Sequence, residues 1–124
     1  MTIYKRKSVY KKLLNALNGV SIVFREESNF RVQAICFFFV CVAAAIVDIS
    51  RVDFLVILLI SSLVFVAEIF NSAIENLCDH ITLDEHIMIK KIKDISAGGV
   101  LVVSLFALIT GVSIFAPYML NFSL

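Results

Sequence analysis

Hydrophobic residues recur at spacings of three and four along the first stretch of the chain: Val9, Leu13, Leu17, Val20 and Phe24. Lys11, Lys12, Asn15, Asn18 and Arg25 fall mostly on the opposite side. That period predicts an amphipathic helix lying in a membrane interface, its lysines toward anionic headgroups. A soluble amphipathic helix has the same period, and the rest of the chain decides between the two. Beyond Arg31 the periodicity gives way to runs without charge: sixteen residues at 32–47, fourteen at 54–67 and twenty-one at 95–115. A bilayer span needs about 20 residues. The first run reaches that length when Phe30 and Ile49 extend it and Arg31 snorkels. The pattern predicts an all-α integral membrane protein, with a surface helix within 1–28 and transmembrane helices at 30–49, 53–79 and 94–120. A polar turn at 48–53 and a charged connector at 79–94 join the spans.

Composition agrees. The chain has 124 residues, 60% of them hydrophobic, and a mean hydropathy of +0.98. A soluble domain of this size is rarely so apolar, so the bilayer is its solvent and one domain is the sensible count. A net charge of +1 implies no nucleic acid or other acidic polymer as partner. Cys36, Cys41 and Cys78 show no paired spacing and read as small buried hydrophobes rather than zinc ligands or a disulfide. The long charged N-terminal segment, basic over residues 1–7, does not read as a signal peptide. Seven of the eleven lysines and arginines precede residue 32, one (Arg51) lies in the first turn, and three (Lys90, Lys91, Lys93) lie in the second connector. Positive-inside logic places the N-terminus and second connector in the cytosol.

Candidate chemistry sits on the second span. Glu68, Asn71, Ser72, Glu75 and Asp79 fall within roughly 100° of one another on a helix, one polar stripe on an otherwise apolar cylinder. A carboxylate inside the hydrocarbon layer costs about 2.5–3.5 kcal/mol at a helix centre, so Glu68 is expected to face a protein-lined site. A core about 30 Å thick that begins near residue 54 ends near residue 73, which sets Glu68 just beneath the cytosolic boundary, at the depth of a lipid hydroxyl. There it is placed to act as a general base. Glu75 and, from the end of the surface helix, Glu27 suit a hard cation such as Mg²⁺, and Lys93-Asp94 opens the third span on the same side. Metal, cation, base and alignment are the minimum for phosphoryl transfer. Singly, each residue has a plainer reading. Glu68 could pair across helices or carry protons in a small proton-coupled transporter. Glu75 and Asp79 could be a solvated helix end, Glu26-Glu27 an exposed charge pair, and His86 a loop histidine. No Gly-rich phosphate loop and no protein-kinase signature occur.

Asn29-Phe30-Arg31, then Glu68-x-x-Asn71-Ser72-Ala73-Ile74-Glu75-x-x-x-Asp79, then Lys93-Asp94 with Ala97-Gly98 and Val100-Leu101, resemble the small prokaryotic diacylglycerol kinase family, which includes undecaprenol kinases. The resemblance runs from Asn15 to Leu120, and the Glu-x-x-Asn-Ser-Ala-Ile-Glu block with the downstream Lys-Asp is its most specific part. It implies a homotrimer in the bacterial cytoplasmic membrane, with active sites between subunits at the cytosolic face. It implies transfer of the γ-phosphate of ATP, with Mg²⁺, to a membrane lipid: diacylglycerol giving phosphatidic acid, or alternatively undecaprenol giving undecaprenyl phosphate. By position, Glu68 is then the base and Asn71 orients groups beside it. Glu27 and Glu75 hold the metal on ATP. Glu85, His86, Lys93 and Asp94 contact ATP, and Asn29, Phe30, Arg31 and Ala97 join Glu68 around the lipid. Ala16-Leu17-Asn18-Gly19 and Asn29-Phe30-Arg31 look closer to the undecaprenol kinase branch, although Gln33 stands where that branch often has histidine.

Overall fold

A computed structural model describes residues 8–122; the basic segment 1–7 lies outside the described residues. The described residues form four helices: α1 (Val9–Glu26), α2 (Ser28–Ile46), α3 (Arg51–Ile81) and α4 (Ile87–Phe122). Three of them are long and apolar enough to cross a membrane: Ser28–Ile46, Arg51–Ile81 and Ile87–Asn121. None of the expected apolar face of α1 is buried; Val9, Leu13, Leu17, Val20 and Phe24 are all exposed.

The helix ends follow local chemistry. Ser8 caps α1, its hydroxyl accepting from the Lys11 N–H at 3.4 Å, and Ser50 caps α3, accepting from the Asp53 N–H at 3.1 Å. Asp48 takes a positive φ of 50° in the turn after α2, a conformation that aspartate tolerates better than most residues. Neither proline nor glycine separates α1 from α2. Glu27 alone leaves the helical conformation (φ −98°, ψ 113°). Arg31 stabilises that break: its Nη1 donates to the carbonyls of Phe24 at 3.0 Å and Arg25 at 2.7 Å, two groups that the end of α1 leaves unpaired. Phe30 is buried at the joint against Phe24 and Phe65.

α3 and α4 form the main hairpin, antiparallel and tied at both ends. At one end the Tyr118 hydroxyl donates to Asp53 Oδ2 at 2.6 Å and accepts from the Ser50 N–H at 2.9 Å, while Ser50 Oγ donates to the same carboxylate oxygen at 2.8 Å. At the other end Lys93 pairs with Asp79. From Asp53 to Asp79 the helix rises about 39 Å, close to a bilayer with its headgroup regions, so both ties suit interfacial depth.

The helices run further than the expected spans. The charged connector expected at 79–94 shrinks to residues 82–86, because α3 continues to Ile81 and α4 starts at Ile87. Charge density alone reads as loop, yet Lys90 and Asp94 sit one helical turn apart and pair along α4. In the other direction α2 ends at Ile46, short of the expected 49. The cysteines also differ from expectation: Cys78 is buried, Cys41 is half-exposed and Cys36 is exposed, since one face of a membrane helix can meet lipid instead of protein. All three are free.

The far tie generates a prediction. Tyr118→Phe removes both hydrogen bonds of the hydroxyl, one of them to a carboxylate, and should lower the melting temperature. Lys93→Ala, which breaks a more exposed ion pair, should lower the melting temperature less. Thermal melts of both variants in detergent check the order.

Candidate active site

Glu68 is 2% exposed, Ser72 1% and Asn71 7%, which makes them the buried polar residues of the described chain. All three lie on α3, whose 3.6-residue period brings positions 68, 71, 72 and 75 to one face. Glu68 is met from α2 by Gln33, whose Nε2 donates to Oε2 at 3.0 Å. Three other buried oxygens have no hydrogen-bond partner: Gln33 Oε1, Asn71 Oδ1 and Ser72 Oγ. A buried polar atom without a partner costs about 1–3 kcal/mol, so this cluster is ordered for something besides stability.

Glu27 reaches the cluster because the helix break before α2 turns it there. Its pKa is raised above the ordinary glutamate value. Loss of hydration is the largest cause, followed by the charges of Glu75, Glu68 and Glu26. The Ser72 hydroxyl acts in the opposite direction from nearby, without making a hydrogen bond of good geometry. The structure thus brings Glu27, Glu68, Asn71, Ser72 and Glu75 together, with mutually repelling carboxylates that a cation would relieve. Among the described residues no three His, Cys, Asp or Glu side chains could by themselves hold a metal ion. Hard oxygen atoms from one or two carboxylates, completed by phosphate, nonetheless suit Mg²⁺, and Glu27 with Glu75 fit that description.

Asp79 continues the stripe one turn beyond Glu75 and holds Lys93. Asp94 turns instead to Lys90. Glu85 and His86 are exposed in the connector, where His86 Nδ1 accepts from the Met88 N–H at 3.2 Å and so caps α4. A cleft of about 590 Å³ opens at this end, and Glu85, His86, Lys93 and Asp94 all border it. A second cavity, about 400 Å³ and almost wholly apolar, lies between α2, α3 and α4. Gln33 stands on its wall near Glu68, with Phe37, Phe65, Ile57, Ala107 and Phe115 further along.

The other expected lipid-site residues lie around this cluster. Phe30 and Arg31 form the α1–α2 joint, and Asn29 and Ala97 are exposed on this chain. Conversely, Gln33 was not assigned a role from sequence. Its signal was available: among residues 32–47 it is the single amide in an otherwise apolar run, at the depth of Glu68.

A helical membrane protein with acidic groups gathered between a charged cleft and an apolar cavity is equipped to join a polar reactant to an amphiphile. The prokaryotic diacylglycerol kinase family model matches residues 14–115, and the chain belongs to that family. It is 32% identical over 108 residues to an undecaprenol kinase of Bacillus subtilis, covering 87% of this chain and 88% of that one. It is 32% identical to a diacylglycerol kinase of Synechocystis, covering 83% of this chain and 59% of the relative. A diacylglycerol kinase of Pseudomonas aeruginosa is 30% identical, with 76% and 80% covered. The protein is a membrane lipid kinase.

The raised pKa of Glu27 has a measurable consequence. Its carboxyl binds a proton more tightly in the folded chain than in the unfolded one. The ionised group therefore weakens the fold above its raised pKa and ceases to do so as pH falls through it. Glu27→Gln should be the more stable form near neutral pH, and its advantage should shrink as pH falls through the raised pKa of Glu27 and be gone below the ordinary glutamate value of 4.5. Melting temperatures of both forms across that range, without divalent cations, check the sign.

Proposed function

We propose that the protein transfers the γ-phosphate of ATP to the hydroxyl of a long-chain polyprenol, as in an undecaprenol kinase, at the cytosolic face of the bacterial cytoplasmic membrane. The observation that carries this reading is the buried Glu68 carboxylate, set between the apolar cavity and the other acidic groups of the stripe. Three features favour polyprenol. The surface-helix and Asn29-Phe30-Arg31 motifs lean that way, and the undecaprenol kinase relative matches nearly end to end. In addition, Gln33 Oε1 and Asn71 Oδ1 are acceptors in want of donors. The ester carbonyls of diacylglycerol would add acceptors beside them, whereas a polyprenol brings only its hydroxyl. Diacylglycerol is the second reading, supported by the two relatives of that name.

The lipid tail occupies the apolar cavity and its hydroxyl meets Glu68. Glu68 takes the hydroxyl proton as the oxygen attacks the γ-phosphorus in line, and the bond to the bridging oxygen breaks to leave ADP. Asn71 orients groups beside the base. Glu27 and Glu75 would hold Mg²⁺, which would supply charge neutralisation to the phosphates. Lys93, exchanging Asp79 for phosphate, adds a positive charge, and Asp94, Glu85 and His86 contact the nucleotide in the connector cleft. The lysine and arginine excess of the N-terminal region and second connector supports the cytosolic placement. A homotrimer would give Asn29, Ala97 and the unburied faces of α4 a neighbour. A proton carrier would use Glu68 alone and leave Glu27, Glu75 and Lys93 without a task.

Purified protein with labelled Mg-ATP should phosphorylate undecaprenol faster than diacylglycerol. The reverse order makes diacylglycerol the substrate, and no label on either lipid refutes the proposal. Glu68→Gln should lower turnover by about 10²–10⁴-fold while ATP binding persists.

A further inference from the structure

A carboxamide carries donors on its nitrogen and acceptors only on its oxygen. The nitrogen end of Gln33 faces Glu68 and donates to its Oε2, where the oxygen end would oppose acceptor to acceptor. That orientation leaves Oε1 pointing elsewhere, buried and without a partner. Gln33 also lines the apolar cavity, whose walls are otherwise hydrocarbon apart from Ser61 and Cys36. The residue that carries this acceptor therefore stands beside the base, on the wall of the space suited to a lipid tail.

We propose that Gln33 is a positioning residue for phosphoryl transfer: its N–H holds the Glu68 carboxylate, and its Oε1 receives the hydroxyl of the incoming lipid. This rests on the lipid-kinase reading of Glu68. An alcohol has one proton to give. In the docked state it is donated to Gln33 Oε1; rotation about the C–O bond then brings the same proton to a Glu68 oxygen. Glu68 takes the proton, an oxygen lone pair forms the bond to γ-phosphorus, and the bond from phosphorus to the bridging oxygen breaks. Gln33 neither gains nor loses a proton. The arrangement selects for a terminal alcohol, since an ether or ester headgroup has no proton for Oε1.

Gln33→Met keeps the length of the side chain and removes both polar ends. Gln33→His keeps a donor on one ring nitrogen and an acceptor on the other. With Mg-ATP and undecaprenol or diacylglycerol, Gln33→Met should lower kcat roughly ten- to a hundredfold and raise lipid KM, leaving ATP KM unchanged, and Gln33→His should recover most of the loss. Wild-type kcat and lipid KM in Gln33→Met, beside an inactive Glu68→Gln, overturn the role of Gln33 and leave the base intact. A loss in Gln33→Met that tracks a lower melting temperature, raises both KM values and is not recovered by histidine makes Gln33 a packing residue and also overturns it. An active Glu68→Gln removes the base on which the inference stands.

Discussion

A carboxylate inside the hydrocarbon layer must find its partners within the protein, because lipid offers none. Glu68 imposes that demand, and much of the structure answers it. Of the seven buried residues among those described, five are on α3 and three of those are polar. The large apolar side chains of α2, α3 and α4 are mostly exposed instead. This inverts the arrangement of a soluble protein, where burial of hydrocarbon supplies most of the stability and polar groups stay outside. Here lipid solvates the hydrocarbon, and the interior is free to hold the groups that need it.

Meeting that demand requires two helices to present the right residues at the right height. The break at Glu27 is the local device. One residue leaves the helical conformation, so α1 can end while α2 begins at a new angle, and Arg31 pairs carbonyls that the break would strand. With that joint set, Glu27 faces Glu75 and Ser72, while Gln33, further along α2, faces Glu68. The antiparallel α3–α4 hairpin supplies the second alignment. Its ties at Asp53–Tyr118 and Asp79–Lys93 hold α4 in one register, which keeps Lys93 one turn from Glu75.

Periodicity made most of this legible. The change from an amphipathic period to charge-free runs separates the surface helix from the spans, and the spacing of Glu68, Asn71, Ser72 and Glu75 places them on one face whatever the tertiary structure. The same reasoning fails where a residue's meaning depends on its neighbour. Charges at 79–94 suggested a loop, although α3 continues to Ile81 and pairing one turn apart lets α4 carry Lys90 and Asp94. Arg31 looked like a snorkelling or lipid-contacting cation, and only the bend between α1 and α2 shows its carbonyl partners. Gln33 and Tyr118 gain their significance from Glu68 and Asp53, thirty-five and sixty-five residues away, a distance that no local pattern spans.

The stripe on α3 also explains how one small protein can present water-soluble and lipid-soluble reactants to each other. From Asp79 to Glu68 is about 16 Å along the helix, and polarity is graded over that length. Asp79 is exposed and paired, Glu75 is half-buried, and Ser72, Asn71 and Glu68 are buried. Under the proposed function, triphosphate enters from the exposed end, where cationic and metal-binding groups can replace its hydration. A hydroxyl on a hydrocarbon tail approaches from the opposite end and can rise only as far as its chain remains in apolar surroundings. The two ranges overlap near Glu68, where a base is accessible to the alcohol while bulk water is largely excluded. Moving the carboxylate two turns outward, to the half-buried level of Glu75, would hydrate it and favour ATP hydrolysis over transfer. Moving it one turn inward would strand it among side chains that cannot answer its charge.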